Sequence, residues 1–134
     1  MNEVLIDTDM LSLFLRNQPE VLSSAQQYLE FHNGFTFSVL THFEILRGLR
    51  VKDASAQIDK FRQICEISRE INLSPEIIIR ASDIYAELHK TGSMIGDADI
   101  LIAATAMQYG IAVVTNNESH FARISGLQVL NWNR

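Results

Sequence analysis

Cysteine occurs once in these 134 residues, so the chain cannot close an internal disulfide or build a cysteine-ligated metal cluster. Cys65 reads as a small buried hydrophobe. No apolar run reaches membrane-spanning length, and the N-terminus lacks a basic region followed by a long apolar stretch. No membrane association is expected, and the cytoplasm is the expected compartment. An excess of positive charge is also missing: the formal balance is −5. That argues against a protein that coats nucleic acid through long-range attraction. It does not exclude an enzyme acting on nucleic acid, because clustered acids inflate the negative count and a bound cation would offset it. The four histidines (His32, His42, His89, His120) show no metal-ligand spacing, so no zinc site is argued. A Gly-rich phosphate loop, a Walker motif and a serine elbow are all absent. There is no repeat, linker or low-complexity stretch.

What is present is an ordinary globular composition, 47% apolar and 20% charged. The length suits one domain over residues 1–134 with a real core.

Val4-Leu5-Ile6 is a short apolar run ending at Asp7, the pattern of a buried strand. Leu11 to Leu15 reads as a short helix. Pro19 opens a second helix to about Phe31, stopped by Asn33-Gly34. Phe35 to Val39 is a β-rich second strand. A helix carrying Glu44 follows to about Arg50. Ala54 to Ile64 has helical spacing, and Cys65 to Ile67 suggests a short strand. Ser74-Pro75-Glu76 starts a helix running to about His89. Asp97 to Gln108 is nearly all apolar and reads as a buried central helix, ended by Gly110. Ile111 to Val114 is an apolar, β-branched strand, and Val129-Leu130 a last short one.

Strands alternate with helices and no hairpin signal appears. The expectation is an α/β fold: a three-layer α/β/α sandwich around a mostly parallel sheet. In such sheets ligands sit outside the carboxyl ends of the strands. Asp7, Glu44 and Asn117 follow strands and land on that edge, and Asp97 and Asp99 open a helix that could reach it. Carboxylates gathered there repel one another, and a divalent cation is the usual remedy.

Each candidate also has a plainer reading. Asp7 and Thr8 could simply start a helix. Asp9 points elsewhere, as a cap or surface residue. Thr41-His42-Phe43-Glu44 fits a capping box, in which Glu44 bonds back to the cap amide. Asp97 and Asp99 are two residues apart and diverge by about 200° on a helix, so one would cap and the other, Asp99, would ligate. Thr115-Asn116-Asn117-Glu118 could be only a turn. Asn117 could instead offer a neutral oxygen, and Glu118 could support the helix that follows. Arg47, Arg50 and Lys52 form either a phosphate-contacting patch or a solvated helix face.

Four segments together resemble the PIN-domain family, and within it the VapC-type toxins of bacterial toxin–antitoxin pairs. They are Val4 to Asp9, Ser38 to Gly48, Ile95 to Ala104 and Val114 to Phe121. Each is weak alone, but they occur in the family's order and span nearly the whole chain. The resemblance implies a PIN-like single domain and Mg²⁺- or Mn²⁺-dependent endoribonuclease activity. The RNA target, with tRNA one candidate, would be cut to inhibit translation. Asp7, Glu44 and Asp99 match the family's main metal-binding acids, and Asp97 an auxiliary one. Asn117 stands where many members carry a further Asp, which should weaken a second metal site. Asp9 replaces the Asn common in the first motif. Thr8 and Thr115 could contact water or phosphate. The implied partners are a VapB-type antitoxin, an RNA substrate and a second copy of the chain, in a homodimer and a toxin–antitoxin hetero-oligomer.

Two other classes compete. One is a PIN-like domain that binds RNA or protein without cutting, which Asn117 keeps open. The other is a haloacid-dehalogenase-like phosphatase using Asp7 as nucleophile. For the latter, no lysine is well placed and the expected cap insertion is absent.

Overall fold

The computed structural model describes residues 1–134. In chain order the elements are β1 (Val4–Ile6), α1 (Thr8–Leu15), α2 (Pro19–Leu29), β2 (Thr36–Ser38), α3 (Val39–Val51) and α4 (Ser55–Ile67). There follow β3 (Arg69–Ile71), α5 (Pro75–Lys90), α6 (Asp97–Gln108), β4 (Ala112–Val114), α7 (Glu118–Phe121) and β5 (Val129–Leu130).

Every strand pairing is parallel. β4 lies between β1 and β5, with Val4 opposite Ala112 and Val113 opposite Val129. β2 pairs with β3 in a second ladder and packs beside β1. The pleat sends alternate residues to opposite faces. Val4 and Ile6 of β1, with Ala112 and Val114 of β4, join one core with Met10, Val21, Tyr28, Phe37 and Phe61. Leu5 and Val113 point the other way, into a second core with Ile77, Ile84, Ile100, Ile102 and Phe121. Two cores on two faces of one sheet make the three-layer sandwich. They also explain why β1 and β4 are apolar at every position rather than alternating.

α6 follows the same logic. It is apolar almost all round because α5 covers it on one side and the sheet on the other, and Ile102 through Ala106 are completely or almost completely buried. Gly110, at φ +64°, takes the left-handed turn just past its end.

Three expectations from the sequence need correction. α1 starts at Thr8 rather than Leu11, because Asp7 caps it directly. α3 starts at Val39: the Ser38 hydroxyl accepts from the Leu40 N–H at 3.1 Å, so Ser38 is the cap. Thr41 and Glu44 are then interior helical residues, and no capping box forms. Cys65 to Ile67 is the last stretch of α4, not a strand. The pairing strand is Arg69–Ile71, held in register by Thr36–Ser38. Cys65 is half-buried and unbonded to any other cysteine.

Gly34 lets the turn before β2 pass the end of α4. A Cβ there would stand 2.2 Å from the Ile67 carbonyl oxygen, which is backbone and cannot swing aside. Gly34→Ala is expected to cost about 1–3 kcal/mol through forced backbone shifts. Urea unfolding would read this as a lower midpoint at unchanged slope.

Candidate metal centre

Because all strands run the same way, their carboxyl ends share one edge. Asp7 follows β1 there, Ser38 ends β2, and Thr115 follows β4. Asp7 is 3% exposed. Its Oδ1 accepts from the Met10 N–H at 2.8 Å, and its own N–H donates to the Val114 carbonyl at 3.0 Å. The cap reading and the site reading of Asp7 are thus compatible: capping α1 occupies Oδ1 and leaves the carboxylate at the carboxyl edge of the sheet. Burial pushes the Asp7 carboxyl up to about 7. Hydrogen bonds from the Thr115 hydroxyl and the Met10 amide pull it down, and the charges of Asp9 and Asp99 add to the rise. Thr115 is itself completely buried, and its Oγ1 accepts from the Asn117 N–H at 2.9 Å. Thr115 therefore anchors the turn after β4 beside Asp7.

Glu44 comes in from α3. Its Oε1 accepts from Thr8 Oγ1 at 2.6 Å, and its Oε2 lies 3.7 Å from Arg47 Nη2. The buried Thr41 hydroxyl is 3.1 Å from Thr8 Oγ1 and supports this pair from below. Asp99, third residue of α6, is half-buried. Burial first, then the charge of Glu44, raises its carboxyl above the usual range, while the nearby His120 opposes that rise. His120 Nδ1 is 3.9 Å from Asp99 Oδ2 and 2.7 Å from Asn117 Nδ2.

The structure therefore brings Asp7, Glu44, Asp99, Asn117, Thr8 and Thr115 to one edge. Asp97 heads α6 and is exposed, two positions before Asp99 and facing away from it. Asp9 is exposed on α1, close enough to act on Asp7 and Asp99 through its field. Glu118 turns outward to Asn131 and Arg134. Arg47 lies over the Phe43 ring at 5.2 Å. Sequence reasoning missed Thr41 and His120. His120 sits three residues after Asn117, a same-face spacing on a helix, but α7 has only four residues and gives no periodicity to read.

The donors fit a hard divalent cation. They are carboxylate, hydroxyl and amide oxygens, with no thiolate. The electrostatics fit as well: Asp7 is a buried acid with no cationic side chain paired to it. No three of the chain's acidic, histidine or cysteine side chains stand at common ligating distance. Glu44 is held by Thr8, so ligation would require it to turn.

A sheet of this topology, with acids contributed after β1, in α3 and at the head of α6, is the architecture of one nuclease-type family. The PIN domain family model matches residues 4–127, and the chain belongs to that family. Within it, the chain is 31% identical over 130 residues to Ribonuclease VapC1 of Methanocaldococcus jannaschii, covering 96% of this chain and 87% of that one. It is 26% identical to the tRNA(fMet)-specific endonuclease VapC of Salmonella typhimurium, over 98% of this chain and 99% of that one. The structure of VapBC-1 from nontypeable Haemophilus influenzae superposes with a TM-score of 0.85 at 22% identity, covering 99% and 100% of the two chains.

Proposed function

We propose that this chain, as a single PIN-like domain over residues 1–134, is the toxin of a VapBC-type pair: a divalent-metal-dependent endoribonuclease whose cleavage of RNA arrests translation. The observation that carries the proposal is the buried Asp7 carboxylate, unpaired with any cation and within the field of Asp99, which in turn lies within that of Glu44, at the carboxyl edge of a PIN sheet. The named relatives are ribonucleases, one of them specific for tRNA, so tRNA is the first substrate to try.

Asp7, Glu44 and Asp99 would hold Mg²⁺ or Mn²⁺, with Asp97 at most an outer auxiliary. When bound, the cation supplies charge stabilisation at the scissile phosphate and lowers the pKa of the attacking water. The rest is positioning by the chain itself. Thr115 orients Asp7. Thr8, backed by Thr41, holds Glu44, which would have to turn to serve as a ligand. His120 fixes the Asn117 amide beside Asp99, and Asn117 orients the attacking water. A VapB-type antitoxin is the proposed partner, because the structural relatives include VapBC complexes. A homodimer within a toxin–antitoxin hetero-oligomer is the proposed assembly. No helix is long and apolar enough to cross a membrane. The cytoplasm, where RNA is translated, is the proposed compartment.

A second reading, a domain that binds RNA without cutting it, draws on the engagement of Glu44 by Thr8 and Arg47. One assay separates the two: antitoxin-free protein with total RNA and Mn²⁺ or Mg²⁺, beside Asp99→Asn and EDTA lanes. Discrete fragments lost in both control lanes are expected. Binding without fragments would establish the second reading.

A further inference from the structure

We propose that the cleft between α1 and α3, flanked by Arg16 and Lys52, is a phosphate subsite that seats single-stranded RNA next to the carboxylate edge. The inference rests on the ribonuclease reading and extends it to how substrate is held. The cleft has a volume of about 230 Å³, and Thr8 and Glu44 form its wall toward the acids. Its other lining includes Arg16 from the end of α1, Lys52 from the end of α3, and Gln57 from α4. A strand crossing Thr8 and Glu44 on its way to Asp7 therefore has a path that continues between two cations.

The charge census singles out these two side chains. The chain has 11 Lys and Arg residues against 16 acids. Seven of the 11 hold a carboxylate, an amide oxygen or a carbonyl. The free ones are Arg16, Arg50, Lys52 and Lys90, and two of these four line a cleft that opens on the candidate centre. In a chain of net charge −5, an RNA backbone approaching Asp7, Glu44 and Asp99 needs local cations to be held at all. Arg16 and Lys52 are exposed, so their heads are available. Each also occupies the C-cap of its helix, where a cation is favoured by the helix dipole without any ligand. That simpler role affects folding stability and leaves RNA binding untouched, which makes the two separable.

The test is binding of a single-stranded RNA oligonucleotide to the full chain in EDTA, which withholds the cation that cleavage needs, read by fluorescence anisotropy across a salt series. Arg16→Gln/Lys52→Gln is compared with wild type and with Arg80→Gln, whose cation lies on α5 against Gln108. The double variant is expected to bind at least about fivefold more weakly, with the slope of log K against log salt shallower by about 1.4, the loss of two single-strand phosphate contacts. Arg80→Gln should match wild type. An unchanged affinity and slope in the double variant would overturn the subsite. So would intact RNA binding coupled to lost binding of an acidic antitoxin peptide, since the cleft would then serve the protein partner. Failure of the parent reading shows differently: wild type would cut no RNA under any metal, whatever the double variant does in the binding assay.

Discussion

Asp7→Asn is expected to abolish RNA cleavage and, in metal-free protein, to stabilise the fold above pH 7 by roughly 2 kcal/mol. Loss of activity with gain of stability is the signature of a carboxylate kept for chemistry at the expense of folding. Burial pushes the Asp7 carboxyl up to about 7 from an ordinary 3.8. Below pH 3.8 the proton is bound in both folded and unfolded chains, and no penalty arises. Between there and pH 7 the folded chain binds the proton more tightly, so stability falls as pH rises. Above pH 7 the group is ionised in both states and the whole penalty is present, on the order of 4 kcal/mol. Asparagine removes it. The gain is partial, because the Thr115 hydroxyl, which already accepts from the Asn117 N–H, loses its carboxylate acceptor. An unmatched buried hydroxyl costs about 1–3 kcal/mol. The Met10 N–H bond survives, since an amide oxygen can take the place of Oδ1. Thermal melts in EDTA should therefore cross: the variant is no more stable than wild type near pH 4 and melts about 5–10 °C higher at pH 8. Parallel melting curves at all pH values would show that Asp7 carries no buried charge.

How much of this was legible before the structure depends on the range of the interaction responsible. β1 and β4 could be read because Val4 to Ile6 and Ile111 to Val114 are continuous apolar runs, the mark of strands covered on both faces. α6 could be read almost to the residue because Gly96 and Gly110 bracket an apolar block. The start of α3 could not. Thr41 and Glu44 have the spacing of a capping box, but Ser38 ends β2 and turns straight into the helix, which puts Glu44 inside it with its side chain toward Thr8. Cys65 to Ile67 was ambiguous for another reason. A short apolar run suits helix or strand equally, and the choice fell to Thr36–Ser38, some thirty residues away, which pairs with Arg69–Ile71 instead. The acids of the site were visible in order, since each follows a strand or heads a helix. Their supports were not: Thr41 under Thr8 and Thr115 beside Asp7 are contacts between segments, and His120 on Asn117 lies in a four-residue helix too short to show a period. The same holds for Arg16 and Lys52, which meet only because two helices end at one cleft.

Adding Mn²⁺ or Mg²⁺ should restore the stability that Asp7 ionisation removes, and the effect should depend steeply on pH. A cation present at a hundred times its Kd raises the unfolding free energy by about 2.7 kcal/mol. To bind, it must find Asp7 deprotonated. With that carboxyl titrating at about 7, one proton is displaced per ion throughout the range below neutrality. Affinity measured by calorimetry should then fall roughly 25-fold between pH 7.5 and pH 5.5, with proton release detectable as a buffer-dependent heat. Asp99, whose carboxyl is also held above its ordinary range by burial and by Glu44, would steepen the fall at the acidic end. EDTA should remove both the added stability and the cleavage. Asp7→Asn, already relieved of its charge, should bind more weakly and lose most of the pH dependence, so stabilisation and activity would vanish together from one substitution. A metal-induced rise in Tm that is equal at pH 5.5 and pH 7.5, or unchanged in the Asp7→Asn/Asp99→Asn double variant, would place the ion elsewhere on the protein. If the rise instead tracks the ionisation of Asp7, the acid that destabilises the empty fold is the same group that binds the ion. The raised carboxyl would then be a consequence of building a metal site in a dry edge of the sheet, with the cation as the missing counter-charge.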